Sequence, residues 1–92
     1  MIGLDEIASV VGKPQLEAIR ASELPQRATM TLLAIWTDGS PKALKQLAKE
    51  DSLLPRLRSL QSNLEEAADV MGSTYNVTES EALQMSEIPL TL

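Results

Sequence analysis

The sequence predicts an all-α domain: a small bundle of four to six short helices broken by prolines, with a short extended C-terminal tail. Two observations predict it. Apolar residues recur at intervals of three and four along most of the 92 residues, which is the spacing of one helix face. Prolines punctuate that pattern at Pro14, Pro25, Pro41 and Pro55, where a helix can end or begin but cannot run through. A chain this short forms one domain, residues 1–92, whose core leaves a narrow stability margin. Residues 73–92 are expected at its periphery.

Leu4, Ile7, Val10 and Val11 fall at helical spacing, and Asp5 and Glu6 suit the positive end of a helix dipole. This first helix ends near Gly12. Pro14 opens a second, whose buried side is Leu16 and Ile19 with Ala18. Ser22 and Pro25 mark a stop and restart, with Ser22 as the cap of a segment running to Trp36. Met30, Leu32, Leu33, Ala34, Ile35 and Trp36 make that segment apolar almost all round, as a central buried helix requires. Thr29 and Thr31, alternating with apolar neighbours, leave a buried strand open as the other assignment.

Asp38-Gly39-Ser40-Pro41 is the clearest punctuation: a turn, a cap and a residue preset for the first helical position. The helix it starts has Leu44, Leu47 and Ala48 inward and Lys42, Lys45 and Lys49 along one exposed face. Asp51-Ser52 and Pro55 signal a restart. The strongest periodicity follows, through Leu57, Leu60, Leu64, Ala67 and Met71, with Gly72 as its stop. If fully buried, the three leucines and Met71 would contribute on the order of 6 to 12 kcal/mol before entropy. Residues 73–77 read as a loop or extended connector. Thr78-Glu79-Ser80-Glu81 has capping-box spacing ahead of a last helix of about two turns through Ala82, Leu83 and Met85, and Ile88, Leu90 and Leu92 alternate as in an extended strand.

Charge divides the chain. All eight cations lie between Lys13 and Arg58, where five acids leave +3, whereas the last 34 residues carry Glu65, Glu66, Asp69, Glu79, Glu81 and Glu87 with no cation. A net charge of −5 opposes nonspecific binding to nucleic acid or anionic lipid, so direct nucleic-acid binding is not expected. The chain has no histidine and no cysteine, which removes the commonest acid/base group and the thiolate ligands. No enzyme activity, metal or cofactor is expected. Met1 to Val11 carries acids rather than a basic segment and an apolar run, so neither a signal peptide nor a membrane span is expected, and the expected location is cytoplasmic. Glu65, Glu66 and Asp69 are the nearest thing to paired carboxylates, and beside Leu64, Ala67 and Met71 they read as a solvated helix face.

Three short stretches resemble known families. Asp51-Ser52-Leu53 is similar to the phosphopantetheine attachment site of acyl carrier proteins, which would make Ser52 the carrier of the group. Pro55 and the lack of a glycine before Asp51 depart from that pattern, and Ser52 reads as a cap or turn residue. Ala8, Gly12 and Pro14 to Ala21 resemble a helix-turn-helix DNA reader, although Lys13 stands where an apolar residue is usual and Arg20 faces Glu17 and Glu23. Trp36-Thr37-Asp38-Gly39 and Tyr75-Asn76-Val77-Thr78-Glu79 resemble the turn and export signal of the small helical hairpins secreted by type VII systems. That resemblance implies two long helices and export, and Pro14, Pro25 and Pro55 depart from it.

The residues together point to a noncatalytic interaction protein, an adaptor, chaperone-like subunit or regulator. It would bind another protein, or a second copy of itself, through an apolar helix face flanked by acids. Leu57, Leu60, Leu64 and Met71, with Glu65, Glu66 and Asp69, are the expected partner-binding residues. Two other readings are an acidic mimic of nucleic acid that blocks a DNA-binding protein, and the exported hairpin.

Overall fold

A computed structural model of the chain describes residues 3–72 and 77–92. It is all-helical: α1 (Leu4–Val11), α2 (Lys13–Arg20), α3 (Gln26–Gly39), α4 (Pro41–Lys49), α5 (Leu53–Ser59), α6 (Gln61–Met71) and α7 (Glu79–Met85). The central position belongs to α3, which touches α1, α4, α6 and α7. Its inner side buries Ala28, Thr29, Leu32, Leu33, Trp36 and Thr37, and the helical assignment of this segment prevails over the strand. A radius of gyration of 12.3 Å matches the ~12 Å of a compact domain of this length.

Prolines and glycines set most boundaries as the sequence indicates. Gly12 joins α1 to α2 with φ +88 and ψ 146, a conformation essentially reserved for glycine. Pro14 and Pro41 lie in the first turns of α2 and α4, where a missing N–H leaves no bond unmade. Thr78 caps α7, accepting from the Glu81 backbone N–H at 3.2 Å. The Glu81 carboxylate turns back to the Thr78 hydroxyl at 3.1 Å.

Several local expectations are corrected. Ser22 does not cap α3; its hydroxyl donates to the Ile19 carbonyl at the end of α2. Pro25 occupies the cap position of α3 instead, and its carbonyl accepts from Thr29. Ser40 precedes α4 without a capping bond of its own. The stripe from Leu57 to Met71 is not one helix, because it breaks at Leu60. The Ser59 hydroxyl donates to the Arg56 carbonyl at 2.6 Å, the acceptor that the Leu60 N–H would use in a continuous helix. Leu60 donates to Leu57 at 3.0 Å instead, a tighter turn that ends α5. This break supplies the seventh helix among the described residues. Of the residues 73–77 read as a connector, 73–76 lie outside the described residues.

Two helix ends are closed by non-glycine residues in the left-handed region. After α4, Asp51 takes φ +56, donating to Ala48 while Ser52 donates to Leu47. After α7, Glu87 takes φ +61, donating to Gln84 while Ile88 donates to Leu83. Both are the crossed pair of bonds that usually needs glycine. Side chains from elsewhere fasten them: Gln15 donates to the Asp51 carboxylate at 2.7 Å, and Asn63 donates to the Ser86 carbonyl at 2.9 Å.

Part of the stretch expected at the periphery reaches the core. Ala82, Leu83 and Ile88 are buried, and α7 lies against α6 and α3. Beyond it, Ile88 to Leu92 forms no strand. It lies as a strap, with a bend at Leu90, against the C-terminal end of α3, its Pro89 carbonyl accepting from the Trp36 indole N–H at 3.0 Å and its Leu92 N–H donating to the Ser40 hydroxyl at 3.1 Å.

Candidate functional site

The residues with the best claim to partner binding divide between interior and surface. Leu57 and Leu64 are fully buried in the core cluster, so neither can meet a partner without opening the fold. Leu60 and Met71 are half-buried and pack against that cluster. Glu65, Glu66 and Asp69 are exposed along α6, on a helix whose apolar side is already covered. With two rather than four large side chains fully buried, the stripe contributes about 3 to 6 kcal/mol through Leu57 and Leu64, and this serves folding.

An open apolar surface lies elsewhere. The first turns of α1 and α7 flank the outer side of α3 and leave a groove of about 280 Å³. Gly3, Leu4 and Ile7 form one wall, Met30, Thr31 and Ala34 the floor, and Glu79 the other wall. Leu4 stands 44% exposed at its edge, a large apolar side chain that the fold leaves in water. The same turns carry exposed Asp5, Glu6 and Glu81.

Cations are scarce at this groove. Arg27 lies 3.7 Å from Glu79, the one ion pair among the described residues. The Thr31 hydroxyl is 2.6 Å from the same carboxylate and 2.8 Å from the Arg27 carbonyl. Its single proton serves one acceptor at a time, and the charged one offers the stronger bond. Glu79 is thereby fixed across the mouth while the other three acids face solvent. A sequence signal for the groove exists in α3, whose apolar residues nearly encircle it. Leu33 and Trp36 face inward, and Met30 and Ala34 need cover on the opposite side.

A second concavity, lined by Ala21, Ser22, Glu23, Leu24, Arg58 and Gln61, holds no pair of groups suited to acid/base exchange. No cluster of three metal-binding side chains is found among the described residues. Among them, too, no helix is long and apolar enough to cross a membrane.

The short motifs have local structural roles. Ser52 precedes α5 with its hydroxyl 3.4 Å from the Glu50 carbonyl, and Pro55 fits the first turn of that helix. Gly12 alone joins α1 and α2, too short a link for the three- or four-residue turn of a DNA reader. Trp36 to Gly39 is the last turn of α3 in an architecture of short helices rather than two long ones. Tyr75 lies outside the described residues. Compared with protein-family models, curated proteins and solved structures, the chain matches none.

Proposed function

We propose that this protein is a noncatalytic interaction module whose docking surface is the groove between α1 and α7, and whose partner is a protein segment presenting apolar side chains between lysines or arginines. The observation that carries this reading is the exposed Leu4 beside Met30 and Ala34. Water contact is unfavourable for such a surface, and a partner's side chain would relieve it. Glu79 lines it, and Asp5, Glu6 and Glu81 are exposed on the same helix turns, a balance of charge that favours a cationic partner and disfavours an acidic one. A groove of this size belongs with weak and transient contacts rather than obligate ones.

The test compares complexes recovered from the native cell with the wild-type protein and with Leu4→Glu. Leu4 is exposed enough for the variant to fold, so a partner that fits the groove is lost while helical content and melting temperature stay near wild type. Recovery of the same partner in equal amount would sink the proposal. Charge is checked separately: wild-type binding weakens as salt rises, and Asp5→Lys combined with Glu6→Lys flattens that dependence.

A further inference from the structure

The strap from Ile88 to Leu92 is bound in the manner of a separate peptide. Past Ile88, whose N–H closes α7 by donating to Leu83, the bonds that hold Pro89 and Leu92 come from the side chains of Trp36 and Ser40, more than 50 residues away in sequence. Ile88 is almost wholly buried, and Leu90 and Leu92 pack against the core cluster. The seat therefore reads a short non-helical backbone together with the apolar side chains of Ile88, Leu90 and Leu92. It would accept the same five residues from another chain.

The hinge that directs the strap onto its own seat is strained. Glu87 adopts φ +61, a region that a side chain longer than Asn or Asp rarely occupies, and the helix end it closes lies immediately before Ile88. Short hinges under strain favour exchange of the segment they carry. We propose that Ile88 to Leu92 exchanges between two copies of this chain, each copy's strap filling the Trp36–Ser40 seat of the other. Exchange preserves the Trp36 and Ser40 bonds twice over and releases Glu87 from the left-handed region, while each hinge gives up the Glu87–Gln84 and Ile88–Leu83 bonds that close α7. A closed strap has the advantage of its high local concentration, on the order of millimolar, so the exchanged dimer forms as protein concentration approaches that range. The groove between α1 and α7 takes no part.

The chain has no cysteine, which allows a direct test. Full-length Ser40→Cys is mixed with full-length Leu92→Cys under mild oxidation. The expected product is a covalent dimer of one chain of each kind, more abundant than either homodimer and increasing with concentration. Adding Glu87→Gly to both chains relaxes the closed form and lowers the yield at least about tenfold, the size expected when about a kilocalorie of strain is removed at each of two hinges. Absence of the mixed dimer, or an equal yield when Thr91→Cys replaces Leu92→Cys, overturns the proposal. Sedimentation of the unmodified protein decides independently of cysteine chemistry: a dimer that grows with concentration supports exchange, and a strict monomer at about 1 mM overturns it.

Discussion

The stripe on α5 and α6 and the groove between α1 and α7 are both apolar, yet one is largely covered and the other is open. The stripe has the more regular spacing and lies inside; the groove has a broken pattern and lies open. Regular spacing of three and four describes a helix with one covered face, and in a small domain the best such face goes to the core. The open groove, the proposed docking surface, lies instead where a helix carries more apolar residues than its neighbours can cover. On α3, Leu33 and Trp36 are buried whereas Met30 and Ala34 remain half-open.

The largest effect that could break this comparison comes from truncating one leucine on each side of it. Leu64→Ala should destabilise the domain by about 2 to 5 kcal/mol, because a fully buried side chain leaves a cavity that the neighbours fill only in part. Leu4→Ala should change stability by no more than about 0.5 kcal/mol, as surface substitutions do. Denaturant unfolding of both variants measures the difference. Equal losses would mean that Leu4 belongs to the core and that the groove is closed in solution.

Gly12 sets the placement of α1, and with it one wall of the groove. The nearest atom to a side chain built there is 3.9 Å away, so space is not the constraint; the backbone conformation is. Gly12→Ala should cost about 1 to 3 kcal/mol without leaving a cavity. Proton chemical shifts of Met30 and Ala34 should move with it, since α1 must shift to relieve the strain. Loss of stability with unchanged shifts at those residues would uncouple the turn from the groove.

Most helix boundaries were legible because proline and glycine act through local sterics, which the sequence displays directly. The break at Leu60 was hidden because it depends on a serine hydroxyl competing for a backbone acceptor, while the leucine spacing runs on unchanged. The role of Ser22 is hidden for a similar reason: a serine between two helices can serve either, and here it closes the first. The strap was legible only as alternation, since its partners Trp36 and Ser40 are distant in sequence. Among the expected partner-binding residues, the acids Glu65, Glu66 and Asp69 lie at the surface, whereas Leu57 and Leu64 fill the core. Spacing identifies which residues share a face and leaves open what covers it.

The inner side of α3 offers a smaller test with a gain expected. Among the described residues, the buried Thr29 and Thr37 hydroxyls find no hydrogen-bond partner. A hydroxyl in that state loses its hydration without replacement. Thr29→Val keeps the shape and removes the polar atom, so stability should rise by about 1 kcal/mol, read as an upward shift in melting temperature. A fall would show that Thr29 is bonded in solution and that this side of α3 is less dry than its burial indicates.

Arg27 provides the smallest change in stability and the sharpest test of the groove's charge. Its ion pair with Glu79 is long, at 3.7 Å, and the guanidinium side chain is 62% exposed, so solvent screening leaves it worth about 0 to 0.5 kcal/mol. Arg27→Gln should therefore melt within a degree or two of wild type. Its effect on binding should be larger, because Glu79, the acid that lines the groove, then loses the cation paired with it. A lysine-rich partner should bind the variant more tightly at low salt, and the advantage should fade as the Debye length falls below the spacing of the charges. An unchanged affinity at every salt concentration would mean that these carboxylates do not face the partner, and that Leu4, Met30 and Ala34 alone define what the groove accepts.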